Sequence, residues 1–346
     1  MGLNIREIIP RKELDLETLK NKVICVDAFN ALYQFLSSIR QLDGTPLMDD
    51  NKEITSHLSG IFYRNMSLLE YGIKLVYVFD GIPPEQKDRT LNNRGENKDI
   101  AKEKYERAKL EEDIEGMRKY SSQFISLNKK IIDESKELLD AMGIAVIQAP
   151  GEGEAEASYL TRVRQDVFAT ASQDYDSLLF GAPRLIRNLT LARKRKTISG
   201  WIEVKPEIID LEFILNYLEI NLDQLICLGI LVGTDYNPKG IPGIGQKKAL
   251  QIVKRYKQPI FIFESVKEQI ESLPRELYFD WKEIFELFHR PNVLNFNLEF
   301  PKISEEKIRE ILVYRHNFSD ERVQKQLERF RELNEKNKQK VLDKWF

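Results

Sequence analysis

An α/β fold on a largely parallel sheet is what this sequence predicts, and three observations carry the prediction. Apolar, β-branched runs recur through its first two hundred residues, helical patterns lie between most of them, and acidic residues gather at the C-terminal ends of the runs. A helix is the usual crossover between parallel strands, so the alternation implies parallel pairing.

The elements follow in order. "KVICVDAF" (22–29) reads as a buried strand, and residues 30–40 and 55–71 follow with helical periodicity. "KLVYVFDG" (74–81) is the second strand, ended by Gly81 and the Pro83–Pro84 turn. Residues 85–128 are dense in charge and poor in core residues, which suits either a solvated helical excursion or a charged lid. Residues 129–142 are helical, "IAVIQAP" (144–150) is a strand, and residues 153–164 are helical again. "VFATASQDYD" (167–176) and "RLIRNL" (184–189) complete the strands, and from residue 207 onward the chain reads as helices with no further clear strand.

Composition narrows the function classes. With 346 residues, 42% of them hydrophobic, the chain can bury a large core as one big domain or two ordinary ones. No apolar run approaches membrane-spanning length, and no signal peptide is recognisable. Cys25 and Cys227 sit in apolar contexts and read as buried free thiols, which excludes a disulfide framework and a cysteine zinc site. His57, His289 and His316 are too scattered for a histidine-centred site. A net charge of −2 argues against indiscriminate nucleic-acid binding, so the distribution of charge matters more than its sum.

The acids are distributed with purpose. Asp27 ends "VICVD", Asp80 ends "VYVFD", Glu152 and Glu154 follow "AVIQAP", and Asp174 and Asp176 end "FATASQDYD". In open α/β sheets functional sites lie beyond the carboxyl ends of the strands, so four segments aim carboxylates at one edge. Any single Asp there could be a helix cap or turn residue. As a set they cannot all be caps: two carboxylates about 4 Å apart repel by roughly 4 kcal/mol at an effective dielectric of 20. Divalent cations in all-oxygen coordination are the natural counter-charge, and Mg²⁺ suits a site that also takes phosphate oxygens. Asp174 and Asp176 would share a side in an extended segment, while Gly151 and Gly153 would free Glu152 and Glu154 to reach one site. Glu156, deeper in the helix, is expected to be solvated or salt-bridged.

A seventh acid, Asp235, lies in "LVGTDYNPKGIPGIGQKKAL" (231–250), between an apolar helix over 225–233 and a basic one. Gly243, Gly245 and the following helix N-terminus can receive a backbone phosphate, with Lys247 and Lys248 beside them. Residues 239–257 and 183–200 are basic and free of acids, a pattern that favours phosphate-backbone binding over an ordinary solvated face.

At this point the sequence resembles the flap endonuclease family of structure-specific, metal-dependent nucleases. The resemblance rests on "VDAFNALYQFL" (26–36), "TSHLSGIFYRNMSLLEYGIKLVYVFDGIPPEQK" (55–87), "APGEGEAEASYL" (149–160), "ASQDYDSLLFG" (171–181) and "LVGTDYNPKGIPGIGQKKAL" (231–250), and spans nearly the whole chain. It implies the PIN-like fold of 5′ nucleases: one nuclease domain over 1–335, with a helical arch at 85–128 and a helix–hairpin–helix-like DNA-binding element at 225–257. It further implies two-metal hydrolysis of phosphodiesters in DNA with a 5′ flap, using two Mg²⁺ with Mn²⁺ as an alternative. Asp27, Asp80, Glu152 and Glu154 match the ligands of one ion, and Asp174, Asp176 and Asp235 those of the other. Lys87 and Arg94 match the catalytic basic residues at the base of the arch, and Tyr33 the aromatic that stacks on a base. Gly2, Arg40 and Arg64 fall on DNA-contacting positions. Gly151 and Gly153 replace the Ser and Ala of some relatives, and Glu156 has no ligand counterpart.

The tail 336–346 carries a separate pattern. Gln339, Leu342, Trp345 and Phe346 in "QKVLDKWF" occupy the places of a sliding-clamp-binding motif. The lack of the long basic extension of eukaryotic relatives points to an archaeal source and a cytoplasmic, nucleoid-associated location, a nuclear one being expected only of a eukaryotic chain; the chain is expected to be a monomer on its own. A sibling nuclease acting on nicks, bubbles or junctions is the nearest alternative, and a non-catalytic clamp-associated scaffold the next; the intact carboxylate set speaks against the latter.

Overall fold

The computed structural model describes residues 3–41, 43–111, 113–121, 123, 126–191, 194–197, 200–275 and 277–342. Within these, side chains at 85, 88–94, 109, 114–115, 117–118, 194–197, 200–202, 334 and 336–342 are left aside.

The chain enters through β1 (Lys12–Glu13) and β2 (Val23–Asp27), followed by α1 (Ala28–Ser38), α2 (Ser56–Glu70) and β3 (Lys74–Phe79). Two helices, α3 (Asp88–Leu110) and α4 (Ile114–Ser121), occupy the charged segment. Then come α5 (Lys129–Ala141), β4 (Ala145–Gln148), α6 (Gly153–Val163), β5 (Val167–Ala171), the single turn α7 (Asp176–Leu179) and β6 (Arg184–Arg187). A hairpin of β7 (Lys194–Thr197) and β8 (Gly200–Glu203) precedes β9 (Glu207–Asp210). The remainder is helical: α8 (Leu211–Leu218), α9 (Leu222–Val232), α10 (Gln246–Tyr256), α11 (Pro259–Glu264), α12 (Lys267–Glu271), α13 (Trp281–His289), α14 (Glu305–Arg309) and α15 (Asp320–Leu342).

Among the described residues the main sheet has seven strands in the order β1-β9-β6-β5-β2-β3-β4. Its centre is parallel, β2 pairing with both β3 and β5, whereas β9 runs antiparallel to β6 and to β1. The expectation of no strand beyond residue 207 is therefore corrected. "EIID" is four residues long with one fully buried position, too short to stand out as a strand, and its pairing with β6 makes it one.

Alternation along the central strands builds two layers. Ile24, Val26, Leu75, Tyr77 and Phe79 face the core under α1, α2 and α5, while Cys25, Val76 and Val78 face Ala157 and Leu160 of α6. A separate core gathers Tyr175, Leu178, Leu179, Leu225, Ile230, Leu231 and Tyr236 with the helices beyond β9. Because β2 runs parallel to both β3 and β5, the carboxyl ends of these three strands share one edge of the sheet.

Candidate metal and nucleic-acid site

Asp27 closes β2 and caps α1, its Oδ1 accepting the N–H of Asn30 at 3.0 Å. Asp80 follows β3, the parallel neighbour of β2, and its Oδ1 accepts the N–H of Gly153 at 2.7 Å. Only glycine allows that approach: a Cβ at 153 would sit 2.7 Å from the same oxygen and 2.8 Å from Val78 O. Neither Gly151 nor Gly153 has a positive φ, so these glycines provide space rather than conformational freedom.

Glu152 is the backbone N-cap of α6, but its side chain makes no cap. Its two oxygens instead receive the Lys87 ammonium and the Tyr236 hydroxyl. Glu154, in the first turn of α6, accepts both the N–H (2.9 Å) and the hydroxyl (2.6 Å) of Ser177 through Oε1.

Asp174 and Asp176 are not held by an extended strand as the spacing predicts, since β5 ends at Ala171 and Asp176 opens α7. A turn presents them, and long-range bonds fix the turn. Asn30 Nδ2 donates to Asp174 Oδ2 at 3.2 Å, and Arg187 donates through Nε to Gln173 O (3.1 Å) and through Nη1 to the Tyr175 hydroxyl (2.6 Å). Asp176 is buried, and its Oδ1 has no hydrogen-bond partner.

Asp235 is delivered by the turn after α9. Gly233 ends that helix at φ 116°, and Asn237 Oδ1 accepts from the N–H (3.1 Å) and the hydroxyl (2.8 Å) of Thr234. The Asp235 carboxylate then lies 3.6 Å from Lys87 Nζ.

All seven carboxylates thus come into one electrostatic neighbourhood. Burial, and then the Asp80 charge, push Asp27 up to about 7. Burial also raises Asp80, although the nearby Lys87 opposes it. Glu154 and Asp176 are held well above the carboxylate range by burial, reinforced by Asp176 for the first and by Asp235 for the second. Burial works against the Lys87 ammonium, but Glu152 and Asp235 outweigh it and keep the amine above its ordinary range. As the side chains stand, no three His, Cys, Asp or Glu among the described residues close around a single point. Lys87 offsets part of the charge. The donor set nevertheless fits hard cations: hard oxygen donors, an acidic excess, and one buried oxygen on Asp176 with nothing to bind.

Other predicted residues are placed as follows. Tyr33 is 38% exposed, with Lys98 Nζ 5.5 Å from its ring centroid, so it is a surface rather than a core tyrosine. Arg40 is half-buried and donates to Gly44 O at 2.7 Å, and Arg64 is half-buried on α2. Gly243 turns at φ 76° and Gly245 caps α10; Lys247 lies 3.6 Å from Glu7, and Lys248 Nζ is 3.4 Å from Gly243 O. The side chains of Arg94, Gln339 and Leu342, and Gly2, Trp345 and Phe346 altogether, lie outside the described residues.

One expectation is reversed. Glu156 is neither solvated nor salt-bridged but fully buried, with Oε2 accepting the N–H of Leu294 at 2.9 Å. Burial pushes its carboxyl up to about 7, although the Leu294 N–H opposes the shift. Sequence reasoning missed Asn30, Ser177 and Tyr236, which bond to predicted ligands, and Arg187, which holds the turn that carries two of them. Ser177 and Tyr236 each directly follow a predicted ligand, the one signal that pointed to them.

Comparison with known proteins places the chain in a family. The XPG N-terminal domain model matches residues 4–101, and the XPG I-region model matches residues 143–235. Flap endonuclease 1 of Pyrococcus furiosus is 50% identical over 349 aligned residues, covering 100% of this chain and 99% of the relative. That of Hyperthermus butylicus is 48% identical, with the same coverage. Among solved structures, the flap endonuclease-1 from Methanococcus jannaschii matches with a TM-score of 0.74 and 36% identity, over 96% of this chain and 98% of that one. The catalytic core of Rad2 in complex with DNA substrate, at 23% identity and a TM-score of 0.68, shares the fold over 95% of this chain and 100% of its own. With full-length identity near one half and its carboxylates gathered at the strand ends, the chain belongs to the flap endonuclease 1 family of metal-dependent DNA nucleases.

Proposed function

We propose that this chain cleaves branched DNA with a 5′ flap, and digests 5′ ends exonucleolytically, by two-metal phosphodiester hydrolysis in lagging-strand maturation and repair. The observation that carries this reading is the gathering of seven carboxylates from five segments, four of them following sheet strands in the chain and one following α9, with a lysine among them. Asp27, Asp80, Glu152 and Glu154 would hold one Mg²⁺, and Asp174, Asp176 and Asp235 the other. When bound, such a pair supplies Lewis acidity at the phosphate and lowers the pKa of water.

The chain's own groups do the rest. Lys87, bonded to Glu152 and 3.6 Å from Asp235, would exchange those partners for the scissile phosphate, and Arg94 is assigned the same role from the sequence. Tyr33 stacks on a base of the threaded strand, with Lys98 supporting the ring. Duplex phosphates lie along Gly243, Gly245 and the α10 N-terminus, steered by Lys247 and Lys248, with Arg40 and Arg64 as further backbone contacts. The helices α3 and α4 act as the arch over the site. Gln339, Leu342, Trp345 and Phe346 bind a sliding clamp, and the free protein is a monomer.

Metal-dependent cleavage of a double-flap DNA, compared with a four-way junction, tests the assignment. Rapid incision at the flap base with Mg²⁺ and none with chelator is expected. Preference for the junction would move the chain to a sibling specificity.

A further inference from the structure

Asn30 is the third residue of α1, and its peptide and side chain are all engaged. Its N–H is donated to Asp27 Oδ1 at 3.0 Å, its Oδ1 accepts the N–H of Gln173 at 3.2 Å, and its Nδ2 donates to Asp174 Oδ2 at 3.2 Å. The amide orientation follows from chemistry, because a peptide N–H can only donate and a carboxylate can only accept. One short side chain therefore ties the start of α1 to the turn after β5. Ser172 doubles the tie: its hydroxyl donates to Asp27 Oδ2 at 3.4 Å and accepts the N–H of Asp174 at 3.2 Å.

The residue type is informative. Asparagine is a mediocre helix former, and the third helical position ordinarily favours Glu or Gln reaching back to the cap. Leucine has nearly the same shape but would leave the Gln173 N–H and the Asp174 carboxylate without this partner. The amide carries its donor and its acceptor on separate atoms, so it can donate to the Asp174 carboxylate and accept from the Gln173 peptide at once.

We infer that Asn30 is a positioning residue that sets the separation of Asp27 from Asp174 and thereby the affinity of the site for divalent cations. This rests on the reading of those two carboxylates as ligands. In this role Asn30 acts through Asp27 and Asp174, as the outer partners of metal ligands do.

Mn²⁺ binding to the full-length, DNA-free protein, followed by electron paramagnetic resonance, tests the inference. Asn30→Leu is expected to weaken Mn²⁺ binding about 10- to 100-fold, the usual range for losing such an outer partner. Asn30→Gln, which keeps the amide on a longer stem, should fall between Asn30→Leu and the wild type. Cleavage by Asn30→Leu should recover as Mn²⁺ is raised, with KM for flap DNA within about twofold of the wild type. Wild-type Mn²⁺ affinity in Asn30→Leu would overturn the inference, as would equal losses in both variants that track only their melting temperatures. Asp174→Ala separates the two levels of the argument. If it too binds Mn²⁺ normally, the ligand reading fails and takes the inference with it; if it loses binding while Asn30→Leu does not, the positioning role alone fails.

Discussion

Lys87 Nζ lies 3.6 Å from the Asp235 carboxylate while bonded to Glu152, so an ammonium of the chain itself stands among the acids. Replacing Lys87 with Met should act with opposite signs on two measurements. Affinity for Mg²⁺ without DNA, read by calorimetry, should rise because an internal competitor is gone. Single-turnover cleavage at saturating Mg²⁺ should fall about 10²- to 10³-fold, the usual cost of losing one electrostatic donor at a transition state. Parallel changes in both would refute the exchange of partners.

Asp80→Ala and Asp174→Ala should abolish cleavage and leave flap-DNA affinity within a few-fold. Asp176→Asn should also inactivate, and it should raise the melting temperature of the metal-free protein, because burial, and then the Asp235 charge, make ionising this carboxyl costly in the folded state, a cost that a neutral amide does not carry. Calorimetric melting with chelator and with Mg²⁺ checks this, the gain expected only with chelator. Near-wild-type cleavage by either alanine variant would remove the two-metal assignment.

A pH effect is expected away from the site. His57 is fully buried, its ring nitrogens have no hydrogen-bond partner, and the Glu134 carboxylate is 3.7 Å away. Burial holds the imidazole below its ordinary pKa despite Glu134. The unfolded chain takes up a proton near pH ~6.5 while the folded chain resists it. The stability from the neutral ring is therefore complete above that pH and lost as pH falls through the folded pKa. Between pH 7.5 and 5, the wild type should lose more melting temperature than His57→Leu; superimposable pH profiles would contradict this.

Removing residues 339–346 should leave basal flap cleavage unchanged and eliminate stimulation by a sliding clamp. Titrating the clamp into cleavage reactions of both forms measures it. Stimulation that survives truncation would assign the tail to the protein's own structure.

The sequence made the central strands legible because their apolar runs are continuous, and it exposed the carboxylates because each sits where such a run stops. It hid β9 and β1, whose short, mixed sequences become strands only by pairing with β6 and with each other. It hid the true setting of Glu156, although Glu156 lies four residues before Leu160, which is fully buried, and so shares the inward face of α6. A charged residue on an apolar stripe is normally read as a boundary; here Leu294, far along the chain, supplies the N–H that makes burial tolerable. Asn30 and Arg187 were illegible for the same reason, since their meaning lies in bonds to the turn at 173–175 that no local pattern encodes.

The acids are rooted in different cores. Asp27 and Asp80 directly follow Val26 and Phe79 of one, whereas Asp176 and Asp235 sit beside Tyr175 and Tyr236 of the other. The cation pair proposed for this site would thus join ligands rooted in two cores that share the sheet. How tightly it is held depends on how firmly the packing of each core fixes its carboxylates. Packing changes well away from the strand ends, such as a methylene lost beneath α9, become a route by which heat adaptation can set turnover without altering one reacting group.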